Sequence, residues 1–230
     1  MRTLLTSLIL AAIALLVGDR VALVVAQNAI GRQIAAEYQL TSRPEVDIPG
    51  FPFLTQAVDG AYPTIDIAVG DWTGDDITVR DLDVTLNDVS APLGDVLAGR
   101  TANLVAATAT ATAVVPYDTV RGFAPDDVES IGYGPDGLTV VGRFPVAGIM
   151  VPATVIVTVA PTADGIEVTP VSARHSAGGP TISLALLRSR LTFVVPLRSL
   201  PLGARITTIT PAADGLHVTA AAEDVRLTDG

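Results

Sequence analysis

The residue types that most often carry catalysis are few in this chain and poorly arranged for it. The only two histidines, His175 and His217, show no spacing typical of metal ligands. His217 lies between Leu216 and Val218 in an alternating segment, which predicts a strand residue that faces solvent. Cysteine and lysine are both absent, so the sequence contains no thiol nucleophile, thiolate metal site, Ser-x-x-Lys pair or P-loop lysine.

Paired carboxylates are the remaining candidates for chemistry, because such pairs can hydrolyse glycosidic bonds. Asp75-Asp76 and Asp126-Asp127 fall in predicted turns, where solvation of the turn explains them more simply. Asp81 and Asp83 alternate with Leu82, a pattern that predicts the solvent-facing side of an edge strand. No segment joins a nucleophile, a base and an orienting group, so the sequence predicts a protein that is not an enzyme and needs no cofactor or metal.

Amino-acid composition limits which classes of function and partner remain for this protein. The chain has 49% apolar residues but only 4% aromatic ones, and its mean hydropathy is +0.50. This aliphatic surplus has two interpretations: a thick sandwich core with one membrane segment, or strand surface that lines a cavity for an apolar ligand. The formal charge of −10 excludes nucleic acid as a partner, because an acidic surface repels phosphate backbones.

The N-terminus has the pattern of an export signal. Arg2 precedes an uncharged apolar run from Leu4 to Val17, which predicts a signal peptide or membrane anchor over residues 1–18. A Val24-x-Ala26 site offers cleavage, and an uncleaved anchor is the alternative. In either case we expect the rest of the chain outside the cytoplasmic membrane. Residues 19–40 have helical periodicity, so we predict a helix that merges with the anchor and packs on a sheet in its second half.

The rest of the chain, residues 44–228, is predicted to be an antiparallel β body in a single domain spanning 19–230. Alternation changes phase around Asp81, which predicts a β-bulge or a strand that switches the face it buries. Residues 151–159 are apolar enough for a central strand. Asp-Gly at 136–137, 164–165 and 214–215 predicts three hairpin turns. Short helices or loops are expected at 91–99, 117–123 and 180–190, the last packing on the core or acting as a lid.

An unusual block follows the predicted helix. Phe51 and Phe53 are flanked by Pro49 and Pro52, which fix the backbone and remove amide donors. Stiff aromatic rings held in this way could plug a core or form the mouth of an apolar pocket. The residues themselves leave both alternatives open.

With this block, the sequence resembles the LmeA-like phospholipid-binding proteins of actinobacterial cell envelopes. The resemblance is carried by five features: Asp19-Arg20-Val21 after the apolar N-terminus, the I-P-G-F-P-F-L-T-Q block at 48–56, Gly60 and Tyr62 after it, V-P-Y at 115–117, and L-P-L-G-A-R-I at 200–206. Together they cover nearly the whole chain. The resemblance implies an exported envelope protein, on the outer face of the cytoplasmic membrane or in the periplasm. It also implies binding of phospholipid, including phosphatidylinositol-type lipids, and a role in lipoglycan maintenance.

The expected fold is α+β and mostly antiparallel β, with the long N-terminal helix packed along a curved sheet or half-barrel that resembles tubular lipid-binding domains. The hypothesis is an apolar groove for acyl chains, on a protein that contacts the membrane through its N-terminal segment. The expected pocket mouth comprises Phe51, Phe53, Leu54 and Tyr62, the expected interior comprises Ile65, Ile67, Val155 and Val157, and the headgroup candidates are Arg188, Arg190 and Arg205. The alternative is an anchored β-domain that acts as an envelope scaffold without a lipid ligand.

Overall fold

The computed structural model describes residues 2–74, 77–92, 94–95, 104–146, 149–162, 165–175, 188, 191–196 and 203–227. Among the elements that lie in these described residues, one long helix, α1, precedes the sheets, and two short helices lie among the strands. The helices are α1 (Arg2–Glu37), α2 (Phe53–Asp59) and α3 (Tyr117–Gly122). The strands are β1 (Glu45–Asp47), β2 (Ala61–Gly74), β3 (Ile77–Ser90), β4 (Leu104–Val115), β5 (Val128–Gly134), β6 (Gly137–Val146), β7 (Ile149–Thr162), β8 (Gly165–His175), β9 (Phe193–Pro196), β10 (Arg205–Ala212) and β11 (Gly215–Leu227).

Within the described residues the strands form two antiparallel sheets. The first has the order β1-β2-β3-β4-β11-β10 and the second has the order β5-β6-β7-β8-β9. The predicted fold class, α+β with mostly antiparallel strands and a long N-terminal helix, is confirmed. The prediction that the anchor and residues 19–40 merge into one helix is also confirmed, since α1 runs without a break to Glu37.

The three Asp-Gly turns join consecutive antiparallel strands, as predicted. The strand pairings closest to these turns join Gly134 with Gly137, Thr162 with Gly165, and Ala212 with Gly215. The predicted central strand is also confirmed, because β7 pairs with both β6 and β8. The second predicted helical insertion is α3, whereas the segment at 180–190 lies outside the described residues except for Arg188.

The Asp81 region confirms one prediction and corrects another. Asp81 has a φ of 50°, a left-handed conformation that interrupts the strand pattern where the alternation changes phase, and Val79 and Leu86 are buried on either side of it. The edge-strand prediction for Asp81 and Asp83 is wrong, because β3 lies between β2 and β4. Both carboxylates are exposed on a face of the sheet, which alternation alone cannot distinguish from an exposed edge.

The chain divides into two compact units. The first comprises residues 1–70, 83–111 and 222–230, and the second comprises 71–82 and 112–221. Strands β2, β3, β4 and β11 contribute residues to both units. The single domain predicted over 19–230 therefore stays a prediction, and each unit is described by itself below.

The core of the first unit contains two aromatic residues, Phe53 and Tyr62. Its most deeply buried large side chains are Ile48, Phe53, Tyr62, Ile65, Leu86 and Val89. Helix α1 comes close to the segment before β1, where a Cβ on Gly31 would lie 2.8 Å from the carbonyl oxygen of Pro44. Glycine at position 31 therefore permits an approach that alanine would obstruct.

The core of the second unit is mostly aliphatic. It contains Val140, Phe144, Val155, Ile166, Leu191, Val195 and Leu216, all nearly or fully buried. Tyr117 in α3 joins this core to the last hairpin, because its hydroxyl donates a hydrogen bond of 2.6 Å to the carbonyl oxygen of Ala212. Burial raises the pKa of Tyr117.

Candidate functional site

Helix α1 changes its surroundings at Asp19. Every residue from Thr3 to Gly18 is exposed, although most of them are apolar. Beyond this point one face becomes buried at a spacing of three or four residues, through Asp19, Leu23, Ala26, Ile30 and Ile34. By length and composition, α1 is sufficient to cross a membrane.

Asp19 is the charged residue at this boundary, and its side chain holds the start of α2. Only 2% of Asp19 is exposed. Its Oδ1 accepts a hydrogen bond of 2.7 Å from the backbone N–H of Leu54. The first N–H groups of a helix have no partner inside it, and the N-cap residue of α2, Pro52, supplies no side-chain acceptor. Asp19 of α1 therefore supplies the N-terminal cap of α2 that Pro52 cannot supply.

Arg20 neutralises this carboxylate and extends towards an aromatic ring. Its Nε donates a hydrogen bond of 3.1 Å to Oδ2 of Asp19, and its side chain remains 48% exposed. The guanidinium carbon lies 5.2 Å from the centroid of the Phe51 ring, within the range of a cation–π contact. The Asp19–Arg20 pair thus connects α1, the start of α2 and the proline-flanked block.

A shallow apolar strip runs along the exposed side of α1 next to this pair. It is lined by Leu16, Val17, Arg20, Val21, Val24 and Val25. Val21, Val24 and Val25 are each about half exposed, although they lie in the part of α1 whose opposite face is buried. The exposed apolar surface therefore continues past Asp19 on one side of the helix.

The four residues of the predicted pocket mouth are divided between the surface and the core. Phe51 is 62% exposed and Leu54 is partly exposed, whereas Phe53 and Tyr62 are buried with their ring centroids 6.2 Å apart. The Tyr62 hydroxyl has no hydrogen-bond partner among the described residues, and burial raises its pKa. The pocket mouth stays a prediction. Of its four predicted residues, Phe51 and Leu54 have exposed surface that a ligand could contact directly.

The four predicted interior residues are closely packed. Ile65 and Ile67 belong to the first unit, and Val155 and Val157 belong to the second. Ile65 is 1% exposed and Val155 is fully buried, paired across the sheet with Val140 on one side and Ala173 on the other. A side chain with no accessible surface borders no space large enough for water. Their role as a lipid-lining surface stays a prediction that would require these side chains to separate.

The predicted headgroup arginines that the structure describes belong to a different unit from Phe51. Arg188 and Arg205 are exposed residues of the second unit, whereas Phe51 belongs to the first. The Nε of Arg188 lies 3.5 Å from the carbonyl oxygen of Pro170. Arg190 lies outside the described residues. Their contact with a phosphate stays a prediction.

The histidine and carboxylate candidates for chemistry have structural surroundings. His217 is exposed, as predicted, and its Nε2 lies 3.0 Å from Oδ1 of Asp214 in the turn between β10 and β11. The hydrogen bond from His217 lowers the pKa of Asp214. Across the described part of the chain, no group of three or more His, Asp or Glu side chains is arranged to hold a metal ion.

Arg20 and Asp19 are the residues that sequence reasoning missed. The two residues carry part of the family resemblance but were predicted to have no role in a site, whereas Asp19 is the most buried charged residue among those described. The sequence did contain a signal, namely an acidic and a basic residue in succession directly after an apolar run. What it lacked was the partner, because Leu54 lies 35 residues further along the chain.

Comparison with known proteins gives one match. The sequence pattern of the LmeA-like phospholipid-binding family matches residues 17–221, which is most of the chain. The matched region begins two residues before Asp19, where α1 starts to pack against the first unit. No curated protein and no solved structure matches the chain.

Proposed function

Because the chain belongs to the LmeA-like phospholipid-binding family, we propose that it binds phospholipid at a membrane and catalyses no reaction on it. The observation that carries this proposal is the cluster of half-exposed Arg20 and exposed Phe51 at the point where an apolar helix meets the first unit. A phospholipid has an anionic phosphate above apolar chains. This cluster offers a cation and apolar surface in the same arrangement.

Arg20 is the proposed phosphate ligand. A guanidinium has more N–H donors than Asp19 accepts from it, and the side chain is about half exposed. Charge-assisted hydrogen bonds from arginine to phosphate are stronger than neutral ones. Phe51, directly beside the guanidinium, supplies apolar surface for the glycerol and upper acyl region of the lipid. Each methylene removed from water there contributes about 0.8 kcal/mol.

We further propose that α1 is retained as an anchor. Cleavage after Ala26 would remove Asp19 from the start of α2 and would remove Leu23 from the core. Burial of a leucine side chain alone contributes about 1.5–3 kcal/mol. The first unit therefore depends on residues that lie before the cleavage motif.

The location and the lipid class complete the proposal. The basic start and apolar run are typical of export, so the protein is proposed to lie in the cell envelope, outside the cytoplasmic membrane. The proposed ligand is a glycerophospholipid, with phosphatidylinositol-type lipids as the first to test, and the proposed role is maintenance of envelope lipid or lipoglycan.

Native mass spectrometry of the full chain, extracted in mild detergent, tests this function. We expect bound phospholipid on the unaltered protein and less on Phe51→Asp. Tyr133→Asp, which alters an equally exposed aromatic residue of the second unit, should retain it. Competition between phosphatidylinositol and phosphatidylglycerol then identifies the preferred headgroup. Absence of phospholipid from the unaltered chain, or equal loss in both variants, would refute the proposal.

One observation favours a second candidate, an anchored scaffold without a lipid ligand. The core around Val155 is filled by side chains such as Val140 and Ile166, all fully buried. A protein that only presents its surface to partners needs such a core and no groove. The same mass spectrum separates the two candidates, since a scaffold would carry no phospholipid.

A further inference from the structure

The uninterrupted apolar run of α1 is too short to cross a bilayer by itself. Leu4 to Val17 spans about 21 Å at the helical rise of about 1.5 Å per residue. The hydrocarbon layer of a bilayer is about 30 Å thick. A helix anchored only by this run would leave about 9 Å of hydrocarbon without apolar protein surface.

The additional apolar length needed to cross the bilayer lies on one side of α1, directly after Asp19 and Arg20. Val21, Val24 and Val25 are 58%, 52% and 49% exposed, and they continue the apolar surface past the charged pair. From Leu4 to Val25 the helix measures about 33 Å, enough for the whole hydrocarbon layer. The opposite side of this segment, at Leu23 and Ala26, is buried within the first unit.

The charge of Asp19 does not prevent α1 from inserting into the bilayer as far as Val25. A carboxylate facing lipid near the centre of a bilayer costs about 2.5–3.5 kcal/mol on insertion scales. Asp19 faces the first unit instead: it is 2% exposed, hydrogen-bonded to the N–H of Leu54 and paired with Arg20. Arg20 holds its guanidinium against the Asp19 carboxylate and over the Phe51 ring, so the two charges offset each other within this part of the surface.

We propose that the base of the first unit is embedded in the outer leaflet of the bilayer that α1 crosses. The embedded surface, here called the membrane foot, consists of Val21, Val24, Val25 and Phe51. Phe51 belongs to it because Arg20, which lines the same strip as Val21 and Val24, lies over its ring. The occupant of this surface is the lipid of the same leaflet, because the strip is continuous with the exposed run before Asp19.

This inference rests on the proposed function in one respect, namely that α1 is a retained anchor. It adds that the first unit is seated in the membrane and is not held above it on a stalk. A phospholipid could then pass from the leaflet to the Arg20–Phe51 cluster without crossing water. Such a path would avoid exposing acyl chains during binding.

The absence of cysteine allows a direct test on the full chain. Single cysteines are introduced as Leu10→Cys, Val21→Cys, Val24→Cys, Phe51→Cys and Ala36→Cys, and each is labelled with an environment-sensitive fluorophore. Position 10 reports the anchor, positions 21, 24 and 51 report the membrane foot, and exposed Ala36 is the control on the same helix. Ala36 lies about 18 Å beyond Val24 along α1.

The proteins are reconstituted in vesicles of phosphatidylcholine and phosphatidylglycerol with or without nitroxide-labelled lipid. We expect lipid quenching at 10, 21, 24 and 51, and little quenching at 36. Quenching at 10 with none at 21, 24 and 51 would overturn the membrane foot while the anchor stands. No quenching at any position would overturn both. A blue-shifted but unquenched label at 24 would indicate contact with a second copy and would also overturn the inference.

Discussion

The two halves of α1 are both largely apolar, but they have different surroundings. Up to Gly18 every described side chain is exposed on all sides of the helix. From Asp19 onward one side is buried in the first unit, and the other side keeps exposed valines. The difference shows that hydropathy alone does not tell a membrane segment from a packed helix. What separates the halves is the spacing of buried residues and one carboxylate that finds a partner outside its own helix.

Within α1, the largest expected effect comes from removing a packed side chain of the second half. Ile30 is 4% exposed, so Ile30→Ala should lower the free energy of unfolding by about 2–5 kcal/mol through lost burial and a cavity. Leu8→Ala, in the exposed half, should leave it unchanged. Chemical denaturation of the full chain in micelles, followed by circular dichroism, measures both. Similar losses for the two variants would contradict the division of α1 at Asp19.

Gly31→Ala tests how closely the second half of α1 must approach the segment before β1. The added Cβ would lie 2.8 Å from the carbonyl oxygen of Pro44, so α1 would have to move. We expect a loss of about 1–3 kcal/mol in the same denaturation assay. Gly18→Ala is the matched control, because a Cβ there meets no atom within 4 Å. Its stability should stay the same or rise slightly, since alanine favours helix over glycine.

Replacing Asp19 should have a local effect at the boundary. Asp19→Ala removes the acceptor for the N–H group of Leu54, so this amide should exchange hydrogen faster with solvent. Asp19→Asn keeps an acceptor oxygen and should retain part of the protection. Hydrogen exchange followed by mass spectrometry of the α2 peptide measures the order. Protection that is equal in all three proteins would show that α2 needs no cap from α1.

The smallest expected effect on stability is at Phe51. Its ring is 62% exposed and contacts Arg20, so Phe51→Ala should cost no more than about 0.5–1 kcal/mol, the contribution of an exposed cation–π contact. Phe53→Ala, two residues away and fully buried, should cost about 3–5 kcal/mol. Equal losses would show that Phe51 is part of the core. The stability losses of the two variants are measured in the same chemical denaturation assay.

Local chemistry allowed much of the fold to be predicted from the sequence. The Asp-Gly turns act within a few residues, and each joins the strands beside it. The change of phase at Asp81 was visible as a break in alternation and corresponds to its positive φ. The edge prediction for the same residue failed because strand order depends on pairings far along the chain.

The candidate site was harder to predict for the same reason. Phe51 and Phe53 share the same prolines and the same hydropathy, yet one is exposed and the other buried. Which of them enters the core depends on where α2 begins, and α2 begins where Asp19 of α1 supplies its cap. That contact links residues 35 positions apart, and periodicity carries no information over such a distance.

The continuity of α1 has a mechanical consequence. The helix passes from the exposed half into the first unit without a proline or a break in its hydrogen bonding, so no hinge separates them. Helices adapt to bilayers of different thickness by tilting. If α1 is the retained anchor proposed above, a thinner membrane would increase its tilt, and the first unit would tilt by the same angle. Bilayer thickness would then change the orientation of the Arg20–Phe51 cluster.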